Sequence, residues 1–191
     1  MLREQANQTQ STVSPEWHLL YHLALNHLAR GKNREAESCF CESIRQKENA
    51  WSRYGLASLL CLEGREYERA VSWMEMGLME RAGDLSYVKE GFRVLARCGG
   101  YDALIRVYEQ LPENVASESR VVLEYITALY QTGRYKEAYA LLTAEGGLVV
   151  ADLREGENSI VCLWRELRRA LHMPEEEVPH VFDFNAEGRQ S

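Results

Sequence analysis

His18 and His22 stand four residues apart, with Glu16 close by. On a helix that spacing puts two imidazoles on one face, a start for a metal site. No third ligand follows at a fixed offset, so packing or surface roles fit these residues better than ligation. Cys39 and Cys41 are two apart. About 200° of helical rotation separates them, so they cannot bind one ion together within a helix. Glu155 and Glu157 flank Gly156 and offer a carboxylate pair for acid–base work, although a turn or capping role suits them better. His27 falls on an apolar face and reads as packing. Neither a Gly-x-Gly-x-x-Gly turn nor a phosphate loop ending in Gly-Lys-Ser/Thr occurs. Serines, histidines and acids show no spacing that suggests a nucleophilic triad. The expectation is a protein without catalytic residues, metal or cofactor.

The elements that would position any site repeat. Ala36, Ala70 and Ala138 lie on a series with a step of 34 residues, whose remaining member is Leu104, beside Ala103. Four positions after each come Phe40, Met74, Tyr108 and Leu142. Three positions before them stand Asn33, Tyr67, Tyr101 and Tyr135, and five before stand Gly31, Arg65, Gly99 and Gly133. In the second unit the glycine is displaced by one, to Gly64. A fixed period of this length means stacked helical hairpins. Glycine ends each first helix, because it accepts a left-handed backbone without steric cost. The small residue marks a close helix crossing, and the large one a turn later fills the space between units.

Apolar residues at helical spacing mark the first helices: Trp17, Leu20, Leu23, Ala24, His27 and Leu28; Tyr54, Ala57, Cys61 and Leu62; Val88, Phe92, Leu95 and Ala96; Val122, Tyr125, Ile126 and Leu129. Ser14 before Pro15 is a helix start. The pattern predicts helices near 15–30, 33–46, 50–63, 67–81, 85–98, 101–111, 117–132 and 135–144. A last amphipathic helix, 159–172, carries Ile160, Leu163, Trp164, Leu167 and Leu171 on its apolar face, with Arg165, Glu166, Arg168 and Arg169 facing away. It is placed to cap the array. The organisation read from this is a flexible 1–14, four repeats over 15–144, a loop and capping helix over 145–172, and an extended acidic tail over 173–191. That tail holds Glu175, Glu176 and Glu177 and is pinned by Phe182 and Phe184.

At 191 residues with 46% hydrophobic content, the chain suffices for one folded domain. A formal charge of −7 argues against a duplex nucleic-acid surface. No stretch approaches the ~18 apolar residues of a membrane span, and Met1 to Ser14 lacks the apolar block of a secretion signal. Five cysteines without a Cys-x-x-Cys read as reduced thiols filling small apolar spaces. Together these favour the cytoplasm.

The stretches Gly31–Ala36, Gly64–Ala70 and Gly133–Ala138 resemble the tetratricopeptide repeat. The resemblance implies an all-α solenoid, a right-handed superhelix of about four hairpins with the capping helix and tail. It also implies a scaffold that binds protein segments on its concave face. In such repeats the second, fifth, ninth and twelfth-to-thirteenth positions of the first helices point into the groove. With starts at 17, 51, 85 and 119, these are His18, Tyr21, Leu25 and Leu28; Ser52, Gly55, Leu59 and Leu62; Ser86, Lys89, Arg93 and Arg97; and Arg120, Leu123, Thr127 and Tyr130. Lys89, Arg93, Arg97 and Arg120 then form a cationic wall beside a floor of Tyr21, Leu25, Leu59 and Tyr130. An acidic peptide with an apolar anchor matches both, and the chain's own acidic tail has that composition. The carboxylate clamp of chaperone-binding members is absent in this register, since Tyr21, Leu25 and Leu56 occupy its Lys and Asn places.

A second resemblance lies at the C-terminal end. Asp152 to Ile160, Leu163–Trp164, Val178–Pro179 and Asp183–Phe184 are similar to the end of large bacterial proteins, in which a β-rich domain of unknown function with carbohydrate associations precedes a tetratricopeptide array. Asn185 and Ala186 depart from that family's closing segment. This implies a bacterial, detached C-terminal array of a larger protein. A further alternative is a regulatory module that senses a short peptide.

Overall fold

The computed structural model describes residues 16–144, 147–150 and 159–182. Within them the fold is an all-α solenoid of the tetratricopeptide type, without strands. It divides into two compact units, one ending at Glu48 and one beginning at Asn49. The expected flexible N-terminus and the Glu155–Glu157 pair lie outside the described residues.

The first unit is one hairpin, α1 (Trp17–Ala29) and α2 (Asn33–Gln46). Gly31 turns the chain at φ 69°, and the amide of Lys32 closes the end of α1 on the carbonyl of His27 at 2.9 Å. Ser43 is fully buried and donates to the Trp17 carbonyl at 2.7 Å, tying the end of α2 to the start of α1. Ala36 and Phe40 are fully buried. Leu23, placed by its spacing on the apolar stripe, is 45% exposed.

The second unit holds α3 (Ala50–Leu62), α4 (Tyr67–Glu80), α5 (Leu85–Arg97), α6 (Tyr101–Tyr108), a single turn α7 (Glu113–Ala116), α8 (Ser119–Gln131), α9 (Tyr135–Thr143) and α10 (Ser159–Ala170). Each first helix packs on its own second helix and on the next first helix. Ala70, Leu104 and Ala138 are fully buried at the small position of their hairpins. Between hairpins, glycine lets the backbones close in. A Cβ on Gly91 of α5 would stand 2.6 Å from Leu78 Cδ2 of α4. A Cβ on Gly77 would overlap the Tyr87 hydroxyl, which donates to the Ala50 carbonyl at 2.7 Å. Helix α6 stops at Tyr108 rather than near 111. Pro112 lacks a donor and forces an extended approach, and the chain restarts as α7. The Tyr108 and Tyr125 rings stack across α6 and α8 at 3.8 Å.

One repeat departs from the period. Helices α5 and α8 start at the positions the 34-residue series gives, 85 and 119, whereas α3 starts at 50 instead of 51. Its end moves with it, and Gly64 takes the left-handed turn at φ 66°. One surplus residue then precedes α4. Glu66 absorbs it in a left-handed conformation, φ 51°, that non-glycine residues rarely adopt. Arg65 and Arg69 each bond its carboxylate at 2.8 Å.

Helix α10 buries Ile160, Leu163, Trp164 and Leu167 against α8 and α9. Arg168, expected to face away, is 7% exposed instead. The chain after α10 doubles back over it. Arg168 binds Glu176 at 2.7 Å and the Pro174 carbonyl at 2.6 Å, meets the Tyr139 hydroxyl at 3.1 Å and lies over the Trp164 ring. The segment 173–179 is non-helical and ends in the turn His180–Phe182, whose Phe182 is buried. Gly147 makes room for that turn, since a Cβ there would sit 2.7 Å from Val181. Phe184 lies outside the described residues.

Candidate peptide-binding cleft

Helices α3 and α5 run as neighbouring first helices and leave a cleft of about 250 Å³ between them. Tyr54, Ser58, Cys61 and Leu62 line it from α3, and Glu90, Arg93, Val94 and Arg97 from α5. The α5 contribution includes Arg93 and Arg97, both expected in the groove. The α3 contribution is rotated by one residue from the expectation. Leu59 is 2% exposed and Ser52 fully buried, so both belong to the core, and Ser58 stands where Leu59 was placed. The cause is the early start of α3: counted from 50, the fifth, ninth and twelfth positions are Tyr54, Ser58 and Cys61. The signal was present in the sequence, in the glycine displaced to 64.

The cleft has an apolar and a cationic side. Leu62 is 67% exposed, so its apolar surface beside the cavity is available for a ligand to cover. The Ser58 hydroxyl is buried and makes no hydrogen bond among the described residues, an exception to the usual satisfaction of buried polar groups. Arg93 bonds Glu90 at 2.6 Å, but both side chains are about half exposed, so the pair exchanges readily for another carboxylate. Arg97, one turn further, is exposed and makes no ion pair with any described residue.

The other expected site residues are placed elsewhere. Lys89 reaches across to α8 and binds Glu118 at 3.0 Å. The same carboxylate caps α8 by accepting from the backbone amides of Arg120 and Val121, so the Lys89 charge is held at Glu118, and neither Lys89 nor Arg120 lines the cleft. Arg120 is half-buried there. Tyr130 donates to Glu166 of α10, and that bond holds its hydroxyl above the usual phenol range. Tyr21 is half-buried with its ring 6.1 Å from Phe40, and Leu25 is 39% exposed, both on α1 of the first unit. Of the acid run, Glu176 meets Arg168 and not the α5 arginines.

Potential ligands for metals do not gather. His18 Nδ1 lies 3.3 Å from Glu16, and no cluster of three His, Cys, Asp or Glu side chains occurs among the described residues. Nor is any described helix long and apolar enough to cross a membrane.

Comparison with known proteins gives the fold. No protein family and no curated protein matches the sequence. A crystal structure of a TPR-domain containing protein from Parabacteroides distasonis ATCC 8503 superposes with a TM-score of 0.55 at 20% identity, over 89% of this chain. The chain spans 29% of that protein's length. The likeness defines a tetratricopeptide-type solenoid fold.

Proposed function

We propose that the chain is a non-catalytic scaffold whose α3–α5 cleft binds an extended peptide segment bearing a carboxylate and an apolar side chain. The observation that carries this reading is the pairing of Arg97, without an acid among the described residues, with the 67% exposed Leu62 across one cleft. Arg97 offers five donors to a carboxylate. Leu62, Tyr54 and Val94 offer the apolar seat, and Arg93 can exchange Glu90 for a second ligand acid. The match to only part of a longer tetratricopeptide protein supports a second reading, in which the peptide belongs to another domain of a larger polypeptide.

The test is an array of ten-residue peptides combining one Leu or Phe with one to three acids, followed by titration of the strongest binder. R93E/R97E reverses two exposed charges and leaves the core alone. It should weaken binding by at least tenfold while the helical circular dichroism signal stays at the wild-type value. Wild-type affinity should fall between 50 and 500 mM salt, because the screening length drops from ~14 to ~4 Å across this range. Equal affinity of the double variant, or no binding by any acidic peptide, removes the cleft as the site.

A further inference from the structure

A second cavity, independent of the peptide cleft, lies between the last turns of α10 and the segment that returns over it. It holds about 580 Å³, against about 250 Å³ for the α3–α5 cleft, a volume in the range of sites for small organic molecules. Arg165 and Arg169 line it, four residues apart on α10 and both exposed. Arg165 makes no ion pair with any described residue. Arg169 meets Glu166 only at 3.8 Å, and the other oxygen of that carboxylate accepts from Tyr130. Like charges at this spacing repel each other. Of the acids in the lining, Glu176 is neutralised by Arg168 at 2.7 Å, which leaves Glu175 against two guanidinium groups. Trp164 lines the same cavity and is 3% exposed, yet its indole N–H finds no acceptor among the described residues. Buried donors normally have one.

The turn that closes α10 adds a third observation. Its path repeats that of α1, α5 and α8. The Met173 amide bonds the Arg168 carbonyl at 3.0 Å, as the amides of Lys32, Gly100 and Arg134 bond the carbonyls of His27, Leu95 and Leu129. In those three turns a glycine takes the left-handed position, Gly31, Gly99 or Gly133; at the end of α10 it is His172, at φ 54°. A side chain strains that position, and the imidazole of His172 lines the cavity. We propose that this cavity binds a phosphate monoester of a small organic molecule. Arg165 and Arg169 hold the phosphate, the Trp164 N–H and the His172 ring complete its donors, and Met173 and Pro174 seat the organic body. A phosphate monoester carries close to two negative charges at neutral pH and offers three acceptor oxygens, which matches two guanidinium groups without full partners. A carboxylate brings one charge and two oxygens. Glu175 counts against ligands of higher charge.

The full chain is titrated at pH 7.5 with 1-naphthyl phosphate, 1-naphthoate and inorganic phosphate. Binding is followed by nuclear magnetic resonance at the Trp164 indole N–H, assigned by its loss in W164F. 1-Naphthyl phosphate should shift that resonance saturably and bind at least tenfold more tightly than either of the other two. R165Q/R169Q should weaken it at least tenfold with the circular dichroism spectrum and melting temperature unchanged. H172G relieves the strained turn, so its melting temperature should be no lower than that of wild type while affinity falls at least threefold. R93E/R97E, altered in the peptide cleft, should bind the ester as wild type does. No saturable shift, or unchanged affinity in R165Q/R169Q, overturns the site. Equal binding of inorganic phosphate reduces it to an adventitious ion only, and equal binding of 1-naphthoate refutes the choice of phosphate. Loss of binding in R93E/R97E alone places the ester in the α3–α5 cleft and overturns the proposal. Full affinity in H172G removes His172 from the site.

Discussion

At the scale of single residues, the fold is held at helix starts by side chains the sequence pattern did not single out. Asp84 accepts from the Tyr87 amide at 3.2 Å and pairs with Arg81 at 2.7 Å. The Arg81 bond, and then the Tyr87 amide, holds its carboxyl below the usual carboxylate range. A depressed folded pKa contributes stability that is present above the unfolded value of ~3.9. That stability is lost as pH falls through the folded value. D84A should therefore cost ~0.5–2 kcal/mol at pH 7, the ordinary worth of an N-cap. The gap between wild type and D84A should shrink as pH falls below about 4. Urea unfolding at pH 7, 5 and 3 checks this, and a gap that widens on acidification refutes it. Arg53 shows the opposite economy. It is 4% exposed inside the second unit and reaches Glu80 at 2.7 Å, so its charge is neutralised where water is scarce.

At the scale of elements, the 34-residue period locates nearly every helix, because hairpin length, glycine turn and crossing residue recur together. Two things escaped it. Ahead of Pro112 the expected 101–111 helix ends early, at Tyr108, and the gap before 117 holds the turn α7, a local effect of one residue that a periodic template averages away. The second is the one-residue advance of α3, which turned Leu59 into core and Tyr54 and Ser58 into cleft wall. A shift of one residue rotates every side chain of a helix by ~100°, so a correct helix assignment still misplaced the floor. Arg93 and Arg97 were legible because α5 keeps the period. Lys89 read as a groove cation because Glu118 is 29 residues away in sequence and adjacent only in space. The strain of the advance sits on Glu66. Glycine adopts that conformation freely, and the ion pairs it would forfeit are exposed ones of little worth. E66G should raise the melting temperature by about 2–4 °C, read by circular dichroism. A drop would mean that the Arg65 and Arg69 contacts outweigh the backbone strain.

At the scale of the molecule, a solenoid distributes its stability through contacts between sequence neighbours instead of a single shared core. The second unit, from Asn49, contains three hairpins and the capping helix, and α10 closes its far end with Trp164, Leu167 and the buried Phe182. Within this unit Tyr87, Phe92, Leu104, Ile126 and Leu142 are all buried, and its helices pack on one another. A single hairpin cannot bury its apolar face alone, and α1 already leaves Leu19, Leu23 and Leu25 between 39% and 54% exposed. A fragment of residues 49–191 should thus fold by itself. It should keep the helical spectrum expected for its length, a cooperative urea transition, and the peptide affinity of the full chain, because every residue of the α3–α5 cleft lies within it. A fragment of residues 1–48 should be largely unfolded. Non-cooperative melting of 49–191 would show that the first hairpin is part of one indivisible array. Cooperative folding with lost peptide affinity would mean instead that Tyr21 or Leu25 belongs to the binding surface.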